Sequence, residues 1–339
     1  MDPYRYALEL IAEDGRTLGQ VLVEPDWEPA LECAAFRAVR RGRLPATSNA
    51  ARGSVEPLWD ERRGEPAVGG FRVRLDAAEV DPPMELPVAY LSPQARAASA
   101  AFVESGALRT GESFAYRVHA FATTPDGARG DGGGAVEPAF AVDEIATPLP
   151  IDEAPLAAFL ERAVRWGPAA EPDEFPVFVP RSVLEETMER AQAHPDVEIG
   201  GILVGRLLRD PTQPELFLEV TAQIAARHAV SAATTLTFTA DTWAAAAAAI
   251  ALRRREELLC GWYHSHINWC RHCPVENQLR CTRSNAFFSP EDVHLHRVCF
   301  ASAHAVALQT TDNIHTGMTW SLYGWSRGAV IGRGFHIIE

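Results

Sequence analysis

The chain has 339 residues, a formal net charge of -14, and 47% apolar against 22% charged residues. That length suits two domains of ordinary size, and the balance is that of a soluble globular protein. The acidic total argues against a nucleic-acid backbone as the main partner. The longest apolar stretch, Trp243 to Leu252, is mostly alanine and too short for a bilayer, so no membrane association is expected.

Met1 to Gly15 carries no basic segment followed by an apolar run, so no secretory signal is read there and a cytoplasmic protein is expected. Alternation in Tyr6 to Ile11, a turn at Glu13-Asp14-Gly15 and the run Gln20 to Val23 predict a β-hairpin. A helix follows over Glu28 to Arg41, stopping before Gly42. Strands at Phe71 to Leu75 and Ser113 to Ala122, with a helix near Ser92 to Glu104, complete an N-terminal α+β domain over residues 1–125. Its role is not legible.

Residues 126–172 read as a Gly/Pro-rich linker followed by a short amphipathic helix at Ile151 to Trp166, with Leu156, Phe159, Leu160 and Val164 on one side. The second domain spans 173–339. Its expected order is a strand at Pro176 to Val179, a helix from Pro180 to Ala193, and strands at Ile199 to Gly205, Glu215 to Ile224 and Leu236 to Thr239. A helix at Asp241 to Glu257, a strand at Leu259 to His266, a helix from Ser289 and strands at Ala303 to Gln309, Thr319 to Tyr323 and Ala329 to Ile338 follow. This is again α+β, a mixed sheet flanked by helices.

His264 and His266 sit two apart on a strand, so both rings project to one face and can reach one ion. Alone, such a pair is as well explained by two exposed histidines at a strand end. Ser289-Pro290-Glu291-Asp292 adds a good N-cap, a proline suited to the first helical position and acids suited to the first turn. That is how many helices begin. It also holds Asp292 rigidly, and two His with one carboxylate leave a fourth tetrahedral position open, the pattern of a catalytic zinc.

The blocks Glu198-Ile-Gly-Gly-Ile-Leu-Val-Gly205, Gly261-Trp-Tyr-His-Ser-His266 and Phe288-Ser-Pro-Glu-Asp-Val-His294 together resemble the JAMM (JAB/MPN) metallopeptidases. The resemblance covers roughly Phe175 to Glu339 and leaves the first half unread. It implies that His264, His266 and Asp292 are zinc ligands, Glu198 the general base and Ser289 a stabiliser of the oxyanion. It further implies a peptidase or isopeptidase acting after the C-terminus of a ubiquitin-like protein, a family-level analogy. The alanine- and arginine-rich composition with little lysine resembles a bacterial high-GC genome. There, E1- or E2-like enzymes from the same operon would be expected partners.

Two departures stand out. Ile267 replaces the proline that usually follows the second histidine, and twenty-two residues separate His266 from Ser289, where the family usually has about seven. The Cys-rich insert, 267–288, carries Cys270-x-x-Cys273 and then Cys281. In a chain without a secretory signal, this clustering points to a second, structural zinc rather than to disulfides. His294 is the expected fourth ligand, lying about 200° around the helix from Asp292. His272 and His296 are rivals, with His296 expected on the Asp292 face. Three reduced thiols on a loop are the simpler alternative. Cys33, Cys260 and Cys299 are expected in the core.

Three other functions fit the same residues. A zinc-stabilised adaptor of a ubiquitin-like pathway would have its fourth coordination position filled by a protein side chain. A sulfur-carrier maturation peptidase would differ in gene neighbourhood, and a hydrolase of a small amide only in substrate.

Overall fold

The structure, a computed structural model, describes residues 3–46, 52–76, 83–123, 148–171, 173–227, 229–231, 236–268, 273–278, 280, 286–313 and 316–339. The chain is mixed α+β and divides into two compact units, residues 1–38 with 47–147, and residues 39–46 with 148–339. None of the described helices is long and apolar enough to cross a membrane.

The first unit opens with β1 (Tyr4–Ala12), β2 (Thr17–Val23) and α1 (Glu28–Arg40), followed by β3 (Gly53–Trp59), β4 (Ala67–Leu75) and β5 (Met84–Pro87). A 3-10 turn at Val88–Leu91, α2 (Ser92–Glu104) and β6 (Phe114–Ala122) complete it. The strands run in the order β2-β1-β6-β4-β3, with β5 on β4, and every pairing is antiparallel. Tyr6, Leu8, Leu10, Phe71 and Leu91 are almost completely buried in its core. The expected hairpin and both expected helices are present, and Gly42 takes the left-handed φ of 68° that stops α1. Strands β3 and β5 escape the sequence reading. Pro57 interrupts the alternation of β3, and it is tolerated because β3 lies at the sheet edge.

The segment read as one amphipathic helix at Ile151 to Trp166 is instead strand, helix, strand: β7 (Ile151–Glu153), α3 (Leu156–Glu161) and β8 (Ala163–Trp166). Pro155 caps α3 and the chain leaves it at Arg162. Only Leu156 and Phe159 of the expected apolar face are buried, while Leu160 and Val164 are exposed. Both strands join the second sheet, β7 parallel to β10 and β8 antiparallel to β18, so the second unit begins ahead of residue 173.

Beyond them come β9 (Val177–Pro180), α4 (Arg181–Ala193), β10 (Gly200–Arg209), β11 (Leu216–Ala225), β12 (Val230–Ser231), β13 (Leu236–Thr237) and α5 (Ala240–Arg253). Then follow β14 (Leu258–His266), α6 (Val275–Gln278), α7 (Pro290–Cys299), β15 (Val306–Asn313), β16 (Gly317–Ser326), β17 (Ala329–Arg333) and β18 (Phe335–Ile338). Among the described residues, the main sheet runs β17-β16-β15-β14-β10-β11-β9-β18-β8, with β7 pairing with β10. Helix α5 ends before the expected Glu257 because Arg254 turns left-handed at φ 50°.

The core forms where the sheet is continuously apolar. Val183, Leu184, Thr187 and Ala191 turn one face of α4 inward, as their helical spacing predicts. Trp262, Tyr263, Phe178 and Phe217 are completely buried, and each such side chain stabilises the fold by about 1.5–3 kcal/mol or more. Cys260 is buried, as expected, while Cys33 is only half-buried at the margin of the first unit's core. Cys299, expected in the core, is the last residue of α7 and is exposed.

Candidate metal centre

Strand β14 lies between β10, antiparallel to it, and β15, parallel to it. Alternation along β14 puts Trp262, His264 and His266 on one face. Gly200 pairs with His264, and the pairing continues one step further: the Ser265 N–H donates to the Ile199 carbonyl at 2.8 Å. Ser265 Oγ in turn accepts the Ile199 N–H at 3.1 Å. Glu198 is thereby drawn alongside His266.

The Gly200-Gly201 pair is required by this close approach. A Cβ on Gly200 would collide with the Tyr263 carbonyl and the Leu236 side chain, and one on Gly201 with the Ile224 carbonyl and the Tyr263 ring.

Asp292 arrives from the first turn of α7. Ser289 is the N-cap, as its sequence setting predicts: Ser289 Oγ accepts the Asp292 N–H at 3.0 Å, and the Ser289 N–H donates to Asp292 Oδ2 at 2.8 Å. This reciprocal cap fixes the carboxylate, and the positive end of the helix favours its charge.

The three side chains meet. The two Nε2 atoms of His264 and His266 are 3.1 Å apart, with Asp292 Oδ1 3.5 Å from the first and Oδ2 3.7 Å from the second. One ligating atom from each residue lies within 4.8 Å of the others, so the cluster could hold a metal ion. His264 and His266 are buried and Asp292 is half-buried.

Electrostatics separate the two carboxyls. Burial raises the Glu198 carboxyl, against a pull from His266 and with a push from Asp292, to about 7. Burial would raise Asp292 as well, but hydrogen bonding to His264 and His266, their charge and the Ser289 N–H outweigh it, holding that carboxyl well below its usual range. The His264 imidazole is pushed down by burial, which Asp292 only partly offsets. One acid is held ionised, and its neighbour is poised to exchange protons near neutrality.

Several neighbours were not legible in the sequence. The Trp262 indole lies against the His264 ring, centroids 4.6 Å apart and planes 17° from parallel. Gln309, completely buried on β15 opposite His264, brings its Nε2 to 3.1 Å from His266 Nε2. The one sequence signal for it is a lone amide in the apolar run Val306-Ala-Leu-Gln309. His296 turns to β14 from the same side of α7 as Asp292, as expected, but its partner there was not foreseen. It is buried and accepts the Trp262 Nε1 proton at 3.1 Å through Nδ1.

Of the residues expected to hold a second zinc, Cys270 and Cys281, like the rival His272, lie outside the described residues. Cys273 and His294 are both exposed. The Cys273 carbonyl accepts the Gln278 amide at 2.7 Å across the short α6.

No protein-family model matches the chain, and no curated protein matches it. Among solved structures it is similar to the solution structure of protein DSY2949 from Desulfitobacterium hafniense. That likeness has 18% identity over 48% of this chain and 93% of the other, at a TM-score of 0.31, and it carries no argument.

Proposed function

We propose that the second unit is a zinc-dependent peptidase or isopeptidase of the JAMM (JAB/MPN) type that cleaves after the C-terminus of a ubiquitin-like protein. The observation that carries this reading is the meeting of His264, His266 and Asp292, with their ligating atoms turned toward one another. Two imidazoles and a carboxylate are the donor set of a catalytic zinc with three protein ligands. Two nitrogens bound to one tetrahedral zinc lie roughly 3.3 Å apart, and the two Nε2 atoms here stand at 3.1 Å. The residues fit the metal.

Zinc held by these three residues would supply a Lewis acid able to bring the pKa of water toward neutrality. Glu198, beside His266 and with its carboxyl near 7, accepts a proton and passes it to the departing amine. Ser289 Oγ already accepts from the Asp292 N–H, which leaves its own O–H to donate to the oxyanion that develops on the scissile carbonyl. Phe287, near the end of the insert, brings its ring to 4.9 Å from that of His266 and borders the approach to the site. The ubiquitin-like substrate rests on the family resemblance of the three sequence blocks.

Elemental analysis of zinc per chain tests the reading in wild type, His266→Ala and Cys273→Ser. One equivalent lost with His266→Ala is expected, and a further equivalent lost with Cys273→Ser would add the structural zinc. A linear fusion to a ubiquitin-like protein should then be cleaved by wild type. Glu198→Gln should keep the zinc and lose about 10²–10⁴ in rate. Zinc content indifferent to His266 would sink the proposal.

A further inference from the structure

A histidine that binds metal through one nitrogen is usually oriented by a hydrogen bond from the other. His264 departs from that arrangement. Its Nδ1 is buried and meets no hydrogen-bonding partner among the described residues. What fixes the ring is Trp262, stacked on it at 4.6 Å and 17°. Trp262 is itself completely buried and tethered by its Nε1–H to His296 Nδ1. His296 sits on α7, the helix that delivers Asp292.

His266 has a corresponding neighbour in Gln309. Its Nε2 is 3.3 Å from His266 Nδ1 and 3.1 Å from Nε2 of the same ring, and also 3.4 Å from His264 Nε2 at the edge of that ring. An amide hydrogen-bonded to one lone pair would be near one nitrogen and far from the other, since the acceptor direction lies in the ring plane. Near-equal distances put the amide over the face of the imidazole. The amide is anchored at both ends: Nε2 donates to the Phe287 carbonyl at 2.6 Å, and Thr311 Oγ1 donates to Oε1 at 3.3 Å.

From this geometry we infer that Trp262 and Gln309 are positioning residues, each setting the plane of one ligating histidine by stacking, and that His296 acts through Trp262. The inference rests on the proposed metal site and concerns how that site is held ready. The two planar groups reach the histidines from different directions, Trp262 from β14 itself and Gln309 from neighbouring β15. Neither belongs to the His264, His266 and Asp292 cluster that could hold the ion. Anchored groups of this kind typically contribute about 10–100-fold in metal affinity.

The test is zinc affinity of the full chain by chelator competition, read on the equivalent that His266→Ala abolishes. Cobalt absorption of the same variants reports the ligand geometry. Trp262→Leu, which removes the flat ring, should weaken that equivalent by about 10–100-fold and shift the cobalt bands. Trp262→Phe keeps a flat ring but loses the tether to His296, and should fall between Trp262→Leu and wild type. Gln309→Leu keeps the volume, loses the amide plane, and should weaken binding as Trp262→Leu does. If Trp262→Leu fails to fold, Gln309→Leu decides the matter alone. Wild-type affinity and cobalt spectra in the leucine variants, or equal loss in Trp262→Phe and Trp262→Leu, would overturn the inference while leaving the metal site intact. Zinc that survives His266→Ala would instead remove the site on which the inference depends.

Discussion

Ser265 and Ile199 are joined twice, backbone to backbone at 2.8 Å and through the Ser265 hydroxyl at 3.1 Å. This double link carries the register of β10 and β14 past the formal end of the pairing, and it holds Glu198 beside His266. Ser265 is buried, so Ser265→Ala leaves the Ile199 N–H without that acceptor and costs about 0.5–1.5 kcal/mol. The expected signature is a fall in kcat larger than any rise in KM, with zinc content unchanged. Steady-state kinetics beside elemental analysis will read it, and an unaltered kcat would detach Glu198 from this link.

Zinc removal gives a second prediction. A ligand that binds only the folded state stabilises by about 2.7 kcal/mol at a hundredfold excess over its Kd. Stripping zinc with a chelator should therefore lower the melting temperature of wild type. His266→Ala should melt at its own lower temperature with or without chelator. A chelator effect that persists in that variant would assign the stabilisation to metal held elsewhere.

Acid sensitivity follows from two buried histidines outside the candidate metal cluster, His304 and His296. Burial pushes the His304 imidazole down to about 4 and that of His296 down to about 3. In the unfolded chain both titrate near 6.5, so below that pH the unfolded state takes up protons that the folded state refuses. Their contribution is fully present above about pH 6.5 and declines as pH falls toward the folded values, by about 1.4 kcal/mol per pH unit for each histidine. Urea midpoints at successive pH values will show the slope. His304→Gln should flatten it, and an unchanged slope would clear His304 of the effect.

Gly201→Ala tests the close approach of the strands. Its Cβ would meet the Ile224 carbonyl and the Tyr263 ring, and overpacking of this kind costs about 1–3 kcal/mol. Because the carbonyl belongs to β11 and the ring to β14, β10 would be displaced between its two neighbours, and zinc affinity should fall along with the urea midpoint. A stable variant with wild-type affinity would mean that the strands yield without cost.

The site was legible where its geometry is local. His264 and His266 share a face because they are two apart on a strand, and Asp292 is fixed by a cap that Ser289-Pro290 announces. Glu198 became legible only through the joint occurrence of three blocks. Gln309 and the partner of His296 were not legible, because their places depend on register and packing. Gln309 reaches the histidines because β15 runs parallel to β14 with Gln309 opposite His264. His296 turns to Trp262 because α7 packs its buried side against β14. The strands β7 and β8 were missed for a related reason: each is too short to show a period, and each is made a strand by the partner it meets in the sheet.

The position of β18 has a consequence for how the protein is made. This strand lies between β9 and β8, both of which leave the ribosome far earlier than Phe335. Until Phe335 to Ile338 emerge, β8 and β9 lack the strand that lies between them. The unit completes its sheet only once β18 has emerged, and its unpaired edges are exposed to misassociation in the interval. Loss of only Phe335 to Ile338 would therefore not trim a border. It would part β8 from β9 in the interior of the sheet.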